Sequence, residues 1–516
     1  MDGRVLTMNA SQLHAEALAV KKDRIVHVGT NNEISRWIGK NTKVISLKGK
    51  TVVPGIIDTH LHVADFGRML TWVDLTGVKS IKELKSKIRK RALKVPRGKW
   101  IMGHRWDETS FAEKRYPNLR DLDDVSPDNP VVLYRQYGRV CVVNSKALEL
   151  AGVTKGTNSL LGGAIDKEAE TGDLTGILRE NATDLVWKII PEPTEDDIME
   201  AAGLACEKIV EAGITSVHWI ISSSKEISII RRLSVENKLP LRIYVIIPAD
   251  LLDNLLGLDP FKGFRDYVVR LGGVLIFADG FLAARTAALH ESYSDDPATK
   301  GKLLCTQEEM NASVIRVQKA HLQPIIHAMG DRAIEAALAA LEEISEKPKE
   351  DCRCRLEQAA LLDKSLVQRV KKQKLTISIQ PRVIDSEFSA WSATDHLGMA
   401  RARWLYPLKT LLNAGVHVIA GSDTPMEPLS PLQGIQAAAT REFFPEERIT
   451  VYDALRIYTI YAAYASFEEN IKGSIEAGKL ADVTILSNDP QSVPQNEIGD
   501  IEVEMTIIGG RVVYPK

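Results

Sequence analysis

The sequence predicts an α/β protein built around a closed barrel of eight parallel strands. Three observations lead to this prediction. Apolar strand-like runs alternate with amphipathic helical stretches from about residue 54 to residue 467, eight such runs can be counted, and polar residues recur where the runs end. This alternation is typical of parallel strands joined by crossover helices. We therefore expect a TIM (β/α)8 barrel, whose chemistry lies at the carboxyl ends of the strands.

The eight barrel strands are predicted from runs of apolar and β-branched residues, at residues 55–60, 214–219, 241–247, 274–280, 324–328, 355–359, 376–380 and 417–423. Several are separated by stretches in which apolar residues recur three and four positions apart, at residues 195–213, 307–321 and 331–345. Such periodicity predicts helices that cover the outside of a barrel.

The remaining residues predict two additions to the barrel. Both chain ends consist of short alternating runs with tight turns, so residues 1–53 and 470–516 are expected to form one small composite β-sandwich domain. Residues 54–64 and 193–469 are assigned to the barrel. The stretch 65–192, rich in Pro and Gly, is too long to connect two barrel strands and predicts an inserted α/β subdomain, a candidate lid.

Charge and hydropathy restrict the partners. The 66 basic and 68 acidic residues are spread along the chain and leave a formal charge of −2, without the basic stripe that nucleic-acid binding requires. No signal peptide or membrane-spanning stretch is recognisable. We expect a cytoplasmic protein with a small-molecule substrate and with neither nucleic acid nor membrane as partner. A homodimer in contact through the insertion is compatible with the sequence, although no residue pattern points to it.

Cysteine usage agrees with a reducing compartment. The five cysteines are odd in number and scattered, which argues against a disulfide framework. The Cys352-Arg-Cys354 pair has no second Cys or His pair at the spacing of a zinc finger. The sequence therefore predicts no zinc site there.

Four polar residues at strand ends predict a metal site. His60 and His62 end the first strand and, because side chains alternate along a strand, project from the same face. His327 ends the fifth strand and Asp423 ends the eighth. Three imidazoles and a carboxylate from neighbouring strand ends form a ligand set suited to zinc.

Each of these residues also has a structural interpretation. A single His327 or Asp423 is more often a hydrogen-bonded core group or a helix cap than a metal ligand. The His-x-His pair reverses that preference, because two buried imidazoles without a shared partner are costly. His218, at the end of the second strand, is a weaker candidate for a role at the barrel mouth.

At this point the chain resembles the amidohydrolase superfamily, and within it the branch of N-substituted formamide deformylases. The resemblance extends nearly from end to end and is carried by the stretches KGKTVVPGIIDTHLH, RWDET, SPDNPVVLYR, VNSKALELAGV, LTGILRENA, FADGFLAARTAAL, IIHAMGDRA, AGVHVIAGSDTPMEPLSPLQGI and KGSIEAGKLADVTIL. It implies a barrel with a β-sandwich made from both chain ends. It also implies that His60, His62, His327 and Asp423 bind metal and that Asp423 moves protons.

Three positions depart from the pattern of that branch. Leu275 stands where a lysine can bridge two metals as a carbamate, and Gln358 stands where a histidine is a ligand. An amide is a poor zinc ligand. Arg139 replaces a histidine in the inserted region and exchanges a neutral group for a fixed cation. A site with one zinc ion per chain is therefore expected rather than a binuclear one.

The function expected from this site is hydrolysis of a carbon–nitrogen bond other than a peptide bond, such as an amide or an N-substituted formamide. Zinc lowers the pKa of its water from 15.7 to about 7, and Asp423 would pass the proton to the leaving nitrogen. The candidate substrate contacts are Asp279, Arg285, Gln358, Arg139 and His218.

Two alternatives remain open from the sequence alone. The paired loss of Lys and His at cooperating positions favours a diverged barrel that binds or regulates without catalysis. A mononuclear deaminase of a heterocycle would share the metal site and differ only in its substrate. The intact quartet of His60, His62, His327 and Asp423 favours a hydrolase over the first alternative.

Overall fold

A parallel sheet of eight strands, each hydrogen-bonded to its predecessor in the chain, forms the centre of the fold. The computed structural model describes residues 1–136, 139–158, 163–256, 267–345 and 352–515. The strands are Ile56–Leu61, Ile214–Ile220, Arg242–Pro248, Val269–Phe277, Gln323–Ala328, Arg355–Gln358, Thr376–Ile379 and His417–Ala420. The predicted TIM barrel is confirmed. The fourth strand begins earlier than predicted, at Val269, and the eighth ends at Ala420, so that Asp423 lies in the following loop.

The first and eighth strands close the barrel through backbone hydrogen bonds beyond the end of the eighth. The Asp423 N–H donates to the His60 carbonyl at 2.8 Å, and the His62 N–H donates to the Thr424 carbonyl at 3.1 Å. This close approach requires a glycine at position 421, since a Cβ there would lie 2.5 Å from the His60 nitrogen.

Helices follow most barrel strands, and the three predicted helices are present at Glu195–Glu211, Gln307–Lys319 and Asp331–Ser345. The second of them begins where Thr306 and Glu309 cap it reciprocally, the Glu309 N–H donating to the Thr306 hydroxyl and the Thr306 N–H to the Glu309 carboxylate. The other α-helices of this part of the chain are Asn31–Ser35, Val63–Thr71, Ser224–Val235, Leu252–Leu256, Lys364–Lys372, Pro381–Ser389, Ala393–Ala402, Leu408–Ala414, Pro431–Thr440, Val451–Ile457 and Ile460–Ala465. Short 3₁₀ turns lie at Ala249–Leu251, Pro445–Glu447 and Gln495–Asp500.

A second sheet contains strands from both ends of the chain. Its six strands, in spatial order, are Gln12–Ala15, Arg4–Asn9, Thr51–Pro54, Val483–Leu486, Val503–Ile508 and Arg511–Tyr514. A hairpin of Ala17–Lys21 and Arg24–Gly29 accompanies it. Apolar side chains from both ends form one core cluster, in which Val5 and Val52 meet Val483 and Ile485. Burial of this shared apolar surface therefore holds the two chain ends together.

Residues Gly67–Ala201 form a separate compact unit, and the rest of the chain forms the other. The smaller unit has its own mixed sheet, with strands Gly163–Lys167, Leu174–Glu180, Val140–Val143, Val131–Arg135, Ile101–Trp106 and Val73–Asp74. Its helical segments are Ile81–Ala92, Glu108–Ser110, Leu119–Asp123, Ser145–Leu150, Asn181–Thr183 and Asp184–Trp187. Two apolar clusters lie within this unit. The expected insertion thus has a core of its own, while its role as a lid stays a prediction.

Two of the five cysteines are bridged. Cys352 and Cys354 form a disulfide, whereas Cys141, Cys206 and Cys305 are free thiols. The sequence argued against a disulfide framework and did not identify this single bridge. The bridge encloses only Arg353, so it does not tie distant segments together. Among the described residues, no helix is both long enough and apolar enough to span a membrane.

Barrel closure at Gly421 can be tested by substitution. We expect Gly421→Ala to destabilise the protein by about 1–3 kcal/mol, because the added methyl group would overlap the backbone of His60. Thermal and urea unfolding of the variant and wild type measure the loss.

Gly203→Ala is the matched control, because this glycine lies inside the helix Glu195–Glu211 and a Cβ there meets no atom within 4 Å. It should leave stability unchanged or raise it by up to about 1 kcal/mol. Equal effects of the two substitutions would contradict the close approach.

Candidate metal centre

Three predicted ligands meet at the carboxyl end of the barrel. One ligand atom from each of His60, His62 and Asp423 lies within 4.8 Å of the others. The Nε2 atoms of His60 and His62 are 3.5 and 3.7 Å from the Asp423 Oδ1 atom. His60 lies on the first strand and His62 directly after its last residue, Leu61, and the two imidazoles project to the same group. Barrel closure then brings Asp423 to them.

A buried charged network orients His60. Its Nδ1 atom lies 2.7 Å from the Glu357 Oε2 atom, and the other oxygen of Glu357 accepts a hydrogen bond from Arg355. Burial alone would raise the pKa of Glu357, but the charge of Arg355 and the hydrogen bond from His60 lower it to about 2. With Nδ1 donating to this carboxylate, the Nε2 lone pair of His60 is directed towards Asp423.

The negative charges of Asp423 and Glu357 favour the protonated, positively charged form of His60. Burial lowers the pKa of His60, but the Asp423 charge and the Glu357 hydrogen bond outweigh it, and the net pKa is raised. His62 differs, because burial and the neighbouring His60 lower its pKa to about 3. His62 is therefore a neutral imidazole at physiological pH, the form that binds a metal.

His327 lies near this group without belonging to it. Its ring interacts electrostatically with His60, and burial lowers its pKa to about 4. Its Nδ1 atom lies 4.0 Å from the Asp279 Oδ1 atom, and its Nε2 atom has no hydrogen-bond partner among the described residues. A buried imidazole nitrogen without a partner is costly, so a further partner for Nε2 is expected there.

Asp423 is held by the amide that replaces a family histidine. Gln358 Nε2 donates to the Asp423 Oδ2 atom at 3.0 Å, which leaves Oδ1 facing the two imidazoles. Both residues have left-handed backbones, with φ of 64° for Gln358 and 61° for Asp423. Non-glycine residues adopt this region at a cost and are concentrated at functional sites.

Leu275 lies in apolar surroundings. Together with Ile220, Tyr244, Ile246 and Ile325 it forms a buried cluster on neighbouring barrel strands. The position where the formamide deformylase branch keeps a lysine therefore contributes packing here rather than a metal ligand.

Two aromatic side chains flank His327 and remain accessible. The ring centroids of Phe277 and Phe281 lie 5.1 and 5.5 Å from that of His327. Their side chains are 43% and 52% exposed, unusual for phenylalanine. They form an apolar surface beside the polar group at the barrel mouth.

Two of the predicted substrate contacts are engaged in structural interactions. The Asp279 carboxylate accepts hydrogen bonds from the backbone N–H groups of Ala288, Met329 and Gly330, at 2.8–2.9 Å. It thereby ties the end of the fourth strand to the end of the fifth. Arg285 forms an ion pair with Asp295. The contact of either side chain with a substrate stays a prediction.

His218 and Arg139, the next two predicted substrate contacts, each have a different partner within the protein. His218 lies inside the barrel, where its Nδ1 atom is 2.8 Å from Arg355 Nη1, and it does not join the His60 group. Burial and the Arg355 charge hold the pKa of His218 well below its usual range. Arg139 binds Asp184 and Asn181 within its own unit. Their roles in substrate binding stay predictions.

The donor set fits a divalent cation. It combines two imidazole groups and a carboxylate in one cluster. His327 lies beside the cluster, and its Nε2 atom has no hydrogen-bond partner among the described residues. Nitrogen and oxygen donors of this kind suit zinc and similar transition metals. His60, His62 and Asp423 would hold the ion, and His327 is the fourth candidate ligand.

Sequence reasoning missed the buried pair of Arg355 and Glu357, which supports His60. A signal was present, because Arg355 and Glu357 are two positions apart and so share the inner face of the sixth strand. Nothing in the sequence indicated that their partner would be a histidine on the first strand.

Comparison with known proteins identifies the family. The profile of the amidohydrolase family matches residues 43–514. YtcJ of Bacillus subtilis (strain 168), whose name places it among the amidohydrolases, is 31% identical over 529 residues, covering 100% of this chain and 98% of YtcJ. N-substituted formamide deformylase of Arthrobacter pascens is 28% identical over 537 residues, covering 100% of this chain and 98% of that enzyme.

A solved structure is also similar to this chain over nearly its whole length. The crystal structure of an uncharacterized metal-dependent hydrolase from Pyrococcus furiosus superimposes with a TM-score of 0.79 at 32% identity, covering 95% of this chain and 99% of that protein. The family profile and both relatives thus match nearly the whole length of the chain. This chain belongs to the amidohydrolase family.

Proposed function

We propose that this protein is a metal-dependent hydrolase of a carbon–nitrogen bond other than a peptide bond, such as an amide or an N-substituted formamide. The cofactor is one divalent metal per chain, zinc in this proposal, held by His60, His62, His327 and Asp423. The observation that carries the proposal is the convergence of His60, His62 and Asp423 at the barrel mouth, within 4.8 Å of one another.

The roles of the residues follow from their contacts. A divalent metal, when bound, activates water for attack on a carbonyl carbon. Asp423 has one oxygen towards the imidazoles and the other held by Gln358, so it is placed to accept the proton of the attacking water and to deliver it to the leaving nitrogen. The Glu357 carboxylate keeps the ring of His60 in its orientation.

The surroundings of the site support one metal rather than two. Leu275 packs among apolar side chains, and Gln358 uses its amide nitrogen to hold Asp423. Neither offers the anionic or imidazole ligand that a second ion needs.

The accessible faces of Phe277 and Phe281 support a substrate with an apolar substituent. They lie beside His327, where the nitrogen substituent of an amide or formamide would be shielded from water. The name of the Arthrobacter pascens relative agrees with this substrate class.

Metal content tests the site directly. Elemental analysis of protein purified without added metal should find about one divalent metal ion per chain, and His62→Ala should lose most of it because one of the clustered imidazoles is removed. His62 is a better target than His60, whose removal would leave the buried Glu357 without its imidazole partner.

His290→Ala is the control, since His290 is half-exposed and its imidazole pairs with Glu335. Its metal content should equal that of the wild type. Two ions per chain would contradict the single-metal site, and no metal after reconstitution with zinc would sink the hydrolase proposal.

Catalysis is tested with Asp423→Asn. The metal-loaded wild type should release amine from N-substituted formamides or amides, and the variant should lose about 10²–10⁴-fold in kcat because an amide cannot accept the proton. Amine release and metal content are measured on the same preparations.

Asp128→Asn, which affects an exposed ion pair with Arg97, should retain full activity. Turnover by Asp423→Asn at the wild-type rate, with equal metal content, would exclude Asp423 as the proton shuttle. A metal-loaded wild type that is inactive on every amide and formamide offered would exclude this substrate class.

A further inference from the structure

Asp279 carries a buried carboxylate to which the proposed reaction gives no role. The residue lies just after the fourth strand and is 1% exposed. Its Oδ2 atom accepts hydrogen bonds from the N–H groups of Ala288 and Gly330, and its Oδ1 atom accepts one from the N–H of Met329. Three backbone donors thus occupy most of its hydrogen-bonding capacity, which leaves little of it for a substrate.

These hydrogen bonds fix the segment that follows His327. Met329 and Gly330 come directly after the last residue of the fifth strand, Ala328. A Cβ at Gly330 would lie 2.0 Å from the carbonyl oxygen of Ala288, so the two loops are in close contact. The Asp279 carboxylate therefore attaches the loop after the fourth strand to the chain on the carboxyl side of His327.

The ring of His327 faces Asp279. Its Nδ1 atom lies 4.0 Å from the Asp279 Oδ1 atom. Burial lowers the pKa of His327 to about 4, and a hydrogen bond of the ring with the backbone of Asp279 acts in the opposite direction. Only an acceptor raises the pKa of an imidazole, so the partner is the carbonyl group. The backbone is held as well, because the Ala278 N–H donates to the His327 carbonyl at 2.9 Å.

This contact determines which nitrogen of His327 is free. A carbonyl partner requires a proton on the nitrogen that faces it, which leaves the lone pair on the other nitrogen. The Nε2 atom is buried and has no hydrogen-bond partner among the described residues. Histidines that bind metals usually donate their second ring N–H to a carboxylate or a backbone carbonyl in this way.

We propose that Asp279 is a positioning residue, which holds His327 in the orientation and the tautomer of a metal ligand. Its carbonyl group receives the ring N–H, and its carboxylate keeps that carbonyl and the His327 segment in place. The inference rests on the proposed function, because it concerns a ligand of that same site. Asp279 would do for His327 what Glu357, 2.7 Å from the Nδ1 atom, does for His60.

Asp279→Asn tests the proposal without a change of size. An amide has one acceptor oxygen and cannot serve donors on both sides, so at least one of the three N–H groups would face an NH₂ group. We expect the Kd for zinc to rise about 10–100-fold, measured by competition with a chelator. The visible absorption of the cobalt-loaded variant should also change, because it reports the ligand geometry.

Glu226→Gln is the matched control. Glu226 is 2% exposed and also accepts three hydrogen bonds, from the Trp219 indole and from the N–H and hydroxyl of Ser222, each at 2.8 Å. None of these partners is adjacent in sequence to a proposed ligand. The control should lose stability in urea, yet keep the zinc affinity and the cobalt spectrum of the wild type. An equal loss of zinc affinity in both variants would overturn the positioning role.

A double variant shows whether Asp279 acts through His327. If it does, Asp279→Asn combined with His327→Ala should bind zinc as tightly as His327→Ala alone. A further tenfold loss in the double variant would show that Asp279 acts on the site by another route, and would overturn the proposal.

A measurement on the wild type does not depend on the folding of Asp279→Asn. Nitrogen NMR of the zinc-free protein should show His327 with its proton on Nδ1, the signal being assigned by its loss in His327→Gln. A proton on Nε2 would overturn the proposal. Unchanged zinc binding by Asp279→Asn would remove only this inference. A wild type that binds no zinc would remove the proposed function, and this inference with it.

Discussion

The closure of the barrel between its first and eighth strands is the constraint on which the site depends. Two backbone hydrogen bonds join the strand that carries His60 and His62 to the loop that carries Asp423. Their geometry leaves no room for a side chain at Gly421. Because the ligands are attached to this junction, their separation is set by the sheet rather than by side-chain flexibility, which is the form of preorganisation that a metal site needs.

Electrostatics then divides the histidines into different roles. His60 lies between two carboxylates, Asp423 and Glu357, and its raised pKa reflects a position that favours positive charge. His62 and His327 are neutral because burial opposes their protonation. A cation bound among them would be attracted by the carboxylates and bound by the free imidazole nitrogens. The positive charge of Arg355 balances the buried negative charge of Glu357, so this buried pair is close to neutral even when no metal ion is bound.

The departures from the formamide deformylase pattern are compensated locally. Leu275 is accommodated in an apolar cluster, and Gln358 forms a hydrogen bond with Asp423 in place of a contact with a second ion. Both contacts are consistent with the proposed single cation, because neither side chain is left without a structural role.

The sequence by itself determined the barrel, its helices and the four candidate ligands, because hydrophobic periodicity and strand-end polarity are local properties of the chain. Most strand bounds were predicted closely, but the fourth strand begins earlier than predicted, at Val269, and the eighth ends earlier, at Ala420. Only the tertiary structure decided which side chains support the ligands. The pairing of His60 with Glu357 and the hydrogen bond of Gln358 with Asp423 join distant segments. The disulfide of Cys352 and Cys354 depends on local geometry that spacing alone does not reveal. Such contacts arise from the closure of the barrel and the folding of its loops, and no periodicity in the sequence encodes them.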